Sequence, residues 1–127
     1  MKILIVEDEL ISRQIIKKIA EPYGECDIAV NGVEAIELFQ NSVNEEEFYN
    51  VIFLDIMLPE MDGYSVLKNI REIEESANLP LLEKTKIVMT TSLEESKNII
   101  EAFKEQCDYY IVKPVDRSEV NSILDNI

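Results

Sequence analysis

The chain has 127 residues, enough for one domain with a buried core. Hydrophobic residues make up 46% and charged residues 30%, an ordinary globular balance. Twelve Lys and Arg stand against 26 Asp and Glu, and the resulting charge of −14 repels a phosphate backbone and an anionic membrane, so neither nucleic acid nor membrane is an expected partner.

Ile3-Leu4-Ile5-Val6 is a continuous, largely β-branched run and reads as a buried strand. Leu10, Ile11, Ile15, Ile16 and Ile19 then follow helical spacing, and Pro22 and Gly24 end that helix. Cys26, Ile28 and Val30 alternate with Asp27 and Ala29, the pattern of a strand exposed on one face, at a sheet edge. Asn31 is a cap for a helix whose apolar stripe is Ala35, Ile36 and Phe39. Val51-Ile52-Phe53-Leu54 is a second buried strand, and Asp62 caps a helix carrying Val66, Leu67, Ile70 and Ile73. Ile87-Val88-Met89 is a further strand. Ser92 or a neighbour caps a helix carrying Ile99, Ile100 and Phe103. Tyr109-Tyr110-Ile111-Val112 is the last strand, and Asp116 caps a final helix with Val120, Ile123, Leu124 and Ile127 on one face.

Five alternating strand–helix units predict an α/β fold, a parallel (βα)5 sheet with helices on both faces. The chain reads as one domain, 1–127, without repeat, linker or output domain. Asn44–Glu47 and Glu74–Lys84 read as solvated connections, with apolar Leu79-Pro80-Leu81-Leu82 as the part suited to a partner. The absence of His removes the commonest general base, the commonest zinc ligand and the Ser-His-Asp triad. Cys26 and Cys107 are too few for a CxxC-paired zinc site. No secretory signal opens the chain and no apolar run approaches the ~20 residues of a membrane span. A cytoplasmic protein with reduced thiols is expected.

In open α/β sheets, ligands bind beyond the carboxyl ends of the strands. Glu7 and Asp8 follow the first strand, Asp55 ends the third, Thr90, Thr91 and Ser92 follow the fourth, and Lys113 and Pro114 follow the fifth. Taken singly, each is an ordinary turn, cap or surface residue; their joint placement is informative. Three converging carboxylates repel unless one protonates or a cation joins them, and hard oxygen ligands favour Mg²⁺. A divalent cation, an ammonium and a hydroxyl together suit a phosphoryl group, and an Asp so placed can be its nucleophile.

These residues lie in the motifs ILIVED (Ile3–Asp8), VIFLDIMLPEMDG (Val51–Gly63), VMTTS (Val88–Ser92) and YIVKP (Tyr110–Pro114). With them the chain resembles the receiver domain of bacterial two-component response regulators over essentially its whole length. The spacing of four between Asp55, Pro59 and Gly63 is the most specific part. The resemblance implies a flavodoxin-like fold with strand order 2-1-3-4-5 and a phosphoprotein that catalyses its own phosphorylation and slow dephosphorylation without being a conventional turnover enzyme. It implies Asp55 as phosphoacceptor, Mg²⁺ held by Glu7 (through water), Asp8, Asp55 and the Met57 carbonyl, and phosphoryl contacts from Thr91, Ser92 and Lys113. Thr91 is the implied switch hydroxyl in preference to Thr90, Tyr110 the aromatic switch, and Lys113–Pro114 a cis peptide. Phosphorylation would reshape the surface formed by the fourth helix, fifth strand and fifth helix, for a partner to read.

The implied partners are a sensor histidine kinase or histidine phosphotransfer protein and a downstream protein target, with the chain a monomer or a phosphorylation-dependent dimer. A stand-alone receiver is favoured over a phosphorelay intermediate or an excised piece of a larger regulator. Apolar Met57 and Leu93 flank the phosphoryl site where chemotaxis members tend to be polar, which predicts slow hydrolysis. A phosphohydrolase of the haloacid-dehalogenase type would need a second acid where Met57 stands. An FMN binder would need a Ser/Thr/Gly loop where Glu7-Asp8-Glu9 stands.

Overall fold

A computed structural model describes residues 1–80, 84–92, 94 and 106–127. Its five strands are β1 (Lys2–Val6), β2 (Glu25–Ala29), β3 (Val51–Asp55), β4 (Lys86–Thr91) and β5 (Tyr109–Val112). They form one parallel sheet in the order β2-β1-β3-β4-β5. The helices are α1 (Leu10–Ala20), α2 (Gly32–Asn44), α3 (Gly63–Ser76) and the C-terminal α4 (Arg117–Asp125). The expected doubly wound architecture is therefore present. The expected helix with Ile99, Ile100 and Phe103, together with Leu81, Leu82 and Leu93, lies outside the described residues.

The sheet is buried on both faces, which is why its central strands read as unbroken apolar runs. Side chains alternate across a strand. Leu4, Val6, Ile52, Leu54, Ile87 and Met89 join a core with Phe39, Val66, Leu67 and Ile70 of α2 and α3. Ile3, Ile5, Val51, Phe53, Val88 and Ile111 join a second core with Ile16, Ile19, Val120 and Leu124 of α1 and α4.

Three caps fall where the sequence places them. The side chains of Asn31, Asp62 and Asp116 accept from the backbone N–H of Glu34, Ser65 and Ser118, each satisfying an orphan donor of a first turn. After α1 the chain makes a 3₁₀ turn, Glu21–Tyr23, that contains Pro22.

Three expectations need correction. Of the α1 stripe only Ile16 and Ile19 are buried; Leu10, Ile11 and Ile15 are 55%, 66% and 44% exposed. Apolar residues run around more of α1 than the sheet and α4 cover, so periodicity alone could not say which arc is inside. In β2, which is an edge strand, the apolar face does not extend to Val30: that residue lies beyond the strand and is exposed. Cys26 and Ile28 pack on the core beside α1 and α4, while Ala29 is buried on the opposite face. Asp27 is not simply solvated, because it accepts a 2.7 Å hydrogen bond from the buried Tyr49 hydroxyl.

The segment from Glu74 is the third. α3 continues to Ser76, and the Glu74 carboxylate is 1% exposed. It accepts from Arg71 Nη1 at 2.7 Å and from the Thr85 N–H at 2.7 Å. Arg71 also donates to the carbonyls of Thr85 and Gln106 and to Asp108. Asp108 in turn accepts from the Ile87 N–H. This network ties the end of α3 to the segments entering β4 and β5, at the sheet end away from the converging acids.

Candidate phosphoryl-acceptor and metal site

Asp55 is the last residue of β3, 4% exposed, and its neighbours hold both carboxylate oxygens. Oδ1 accepts from the Met57 N–H at 3.0 Å, and Oδ2 lies 3.1 Å from Lys113 Nζ. The chain can turn so sharply after Asp55 because of Gly63. The Gly63 N–H donates to the Ile56 carbonyl at 2.8 Å. A Cβ at Gly63 would stand 2.4 Å from the Asp55 carbonyl oxygen and 2.7 Å from Ile56 Cα. Backbone cannot yield like a flexible side chain, so Gly63→Ala should cost about 2–3 kcal/mol and displace Asp55. Urea unfolding checks this; an unchanged midpoint would contradict it.

Glu7 leaves β1 buried, 1% exposed, with its N–H on the Ala29 carbonyl. Oε1 lies 2.6 Å from Lys113 Nζ. Oε2 is the one buried side-chain polar atom without a hydrogen-bond partner among the described residues. Burial, then the close Asp55 carboxylate, pushes the Glu7 carboxyl up to about 7 despite Lys113. For Lys113, burial works against the ammonium, but the bonds and charges of Glu7 and Asp55 outweigh it and raise its pKa. One ammonium thus bridges two buried carboxylates. Asp8 is exposed at the mouth of the cleft, and oxygens of Glu7, Asp8 and Asp55 lie within 4.8 Å of one another. An orphaned buried carboxylate oxygen among three hard ligands and no thiolate or imidazole fits a hard divalent cation.

On β4, Asp55 is in register with Thr90. Thr91 is the next residue, fully buried, with its hydroxyl donating to the Ser92 carbonyl at 3.2 Å. The Lys113 N–H donates to the Thr91 carbonyl at 2.7 Å, which fixes β5's exit against β4. The Lys113–Pro114 peptide is cis. Ser92 is exposed. The Tyr110 side chain is 49% exposed and that of Met57 58% exposed. The structure therefore brings Glu7, Asp8, Asp55 and Lys113 together in one cleft, puts Thr91 one residue past Asp55 on the neighbouring strand, and leaves Tyr110 facing solvent.

Arg13 is a feature the sequence reading missed. Its Nη1 lies 3.2 Å from the Glu7 carbonyl oxygen and 3.3 Å from that of Asp8. The only local signal was a cation one helical turn beyond consecutive acids, the spacing of many surface arginines.

The profile described as response regulator receiver domain matches residues 3–125, and the chain belongs to that family. It is 40% identical over 120 residues to the transcriptional regulatory protein SrrA of Staphylococcus aureus, covering 94% of this chain and 44% of SrrA. The chain spans less than half the length of the curated relatives it matches. Among solved structures it resembles the REC domain of AraT, a response regulator from Geobacillus stearothermophilus, at 28% identity and a TM-score of 0.77, covering 98% of this chain and 90% of that one. It also resembles a chain from the co-crystal structure of the Saccharomyces cerevisiae histidine phosphotransfer signaling protein Ypd1 and the receiver domain of its downstream response regulator Ssk1. There the identity is 25%, the TM-score 0.78, and the coverage 98% of this chain and 86% of that one. Among the described residues no helix is long and apolar enough to cross a membrane.

Proposed function

We propose that the chain is the phosphoryl-accepting switch of a two-component pathway, in which Asp55 takes a phosphoryl group from a histidine on a sensor kinase or phosphotransfer protein. The observation that carries this reading is the Asp55 carboxylate itself. It ends a buried strand, one oxygen on the Met57 N–H and the other on Lys113 Nζ, beside two further acids. A bond forms between an Asp55 oxygen and phosphorus while the donor's phosphorus–nitrogen bond breaks, its electron pair leaving with the imidazole nitrogen. Lys113 then holds a positive charge at hand for the added negative charge. Glu7, Asp8, Asp55 and the Met57 carbonyl would hold Mg²⁺, which when bound supplies positive charge to the oxygens of the transferring group.

Phosphorylation also provides the switch. The Thr91 hydroxyl exchanges its bond to the Ser92 carbonyl for one to a phosphoryl oxygen, Ser92 contributes a further contact, and Tyr110 turns from solvent toward the space released. A downstream protein reads the resulting surface around β5 and α4. The likeness to a receiver crystallised with a phosphotransfer protein supports a histidine-bearing donor.

Incubation with Mg²⁺ and acetyl phosphate should add one phosphoryl group by intact mass, and Asp55→Asn should add none. A wild-type chain that stays unmodified would refute the assignment. Phosphate lifetime has its own test. The Met57 side chain is apolar and exposed, and it cannot orient an attacking water. Met57→Asn should therefore shorten the half-life of the phosphorylated protein severalfold, and equal decay of the two proteins would remove Met57 from the account.

A further inference from the structure

We propose that Arg13 is a positioning residue for the metal ligands, holding the loop after β1 in the conformation that presents Glu7 and Asp8 to the cation; this rests on the reading that the cleft takes Mg²⁺. Three successive carbonyls converge on this one residue. Arg13 Nη1 meets those of Glu7 and Asp8 at 3.2 and 3.3 Å, and the Arg13 backbone N–H donates to that of Glu9 at 3.0 Å. Glu9 is the N-cap of α1 and makes no side-chain capping bond. The first turn carries no acid either. No side chain therefore fixes the entry to the helix through its first-turn N–H groups, and the guanidinium, reaching back past the helix terminus, ties the loop through its carbonyls instead.

The arrangement sets both loop shape and charge, and the two effects have opposite signs. Beside Glu7, Asp8, Glu9 and Asp55, loss of a guanidinium leaves the cleft more negative, which by charge alone tightens Mg²⁺. Loss of the clamp loosens the chain where it leaves Glu7 and frees the exposed Asp8 to move, which weakens it. Partners that hold metal ligands in place commonly contribute tenfold or more in affinity, so the clamp should dominate.

The test is calorimetric titration of Mg²⁺ into the full chain without phosphodonor. Arg13→Met should bind Mg²⁺ about tenfold more weakly than wild type. Lys17→Met removes the same charge one turn further along α1, away from the loop, and should bind as wild type does. Should Arg13→Met fail to fold, Arg13→Lys keeps the charge without the guanidinium fork and should still fall short of wild type. Wild-type or tighter binding by Arg13→Met, wild-type binding by Arg13→Lys, or an equal loss in Lys17→Met would overturn the proposal. A wild-type chain that binds no Mg²⁺ would overturn the metal reading itself and this inference with it.

Discussion

The affinity of the cleft for Mg²⁺ should fall by about tenfold for each pH unit below 7 and level off above it. The Glu7 carboxyl is pushed up to about 7 by burial first and then by the neighbouring Asp55 carboxylate. Below that pH an incoming cation must displace one proton, and above it none. The same group sets the stability of the metal-free protein. The folded value lies above the ordinary 4.5, so between 4.5 and about 7 the folded state binds more protons than the unfolded one. The contribution is complete below 4.5 and is lost as the pH rises toward 7. Raising the pH across this window should therefore destabilise the metal-free chain relative to Glu7→Gln, and Mg²⁺ should restore the difference. Urea unfolding of the two proteins isolates the Glu7 contribution from other carboxylates. Titration at pH 6 in two buffers of different ionisation enthalpy counts the protons. Release near zero at that pH would show that Glu7 is already ionised and would sink both expectations.

Arg71→Ala should cost about 3 kcal/mol, the lower end of what breaking a buried ion pair takes. Against a typical total of about 5–15 kcal/mol this is a large fraction. The Glu74 carboxylate, 1% exposed, would keep its bond to the Thr85 N–H but lose its counter-charge. The carbonyls of Thr85 and Gln106 would each lose a donor. The reverse change is milder. Glu74→Gln keeps an acceptor for Thr85, and Arg71, at 24% exposed, retains water and Asp108. A cost of about 1 kcal/mol follows for the loss of one charged bond. Arg71→Ala combined with Glu74→Gln should then be more stable than Arg71→Ala alone, since the orphaned charge is gone. A double variant no more stable than the single one would show that the charge is not the cause. Phosphoryl uptake should survive all three, because the network lies at the far end of the sheet from Asp55.

That network also shows where sequence reading stops. The central strands were legible because a parallel sheet covered on both faces leaves no polar alternation. The caps were legible because Asn31, Asp62 and Asp116 act within three residues. The strand-end acids and Lys113 became a site because topology sends every strand's C-terminus to one edge. In the sequence Glu74 reads as the start of a solvated connection. Its helical neighbour Arg71 is local, but what buries the pair, Thr85 and Asp108, comes from 11 and 37 residues away along the chain from Glu74 and Arg71 respectively. Leu10, Ile11 and Ile15 show the converse: their helical spacing places them on α1, but the pattern records only which residues are apolar, and the tertiary fold decides which are covered.

Among the described residues the two cores share no side chain, although every central strand feeds both. The sheet is thus a partition wall, and volume errors do not pass through it. A shortened side chain beside α2 and α3, such as Leu67→Ala, and one beside α1 and α4, such as Ile16→Val, lie in separate cores among the described residues, so their costs should add. Two deletions on one side compete for the same relaxation and should not. Compensating changes of shape in this protein are therefore confined to one side of the wall, leaving each half of the interior free to be rebuilt without consulting the other.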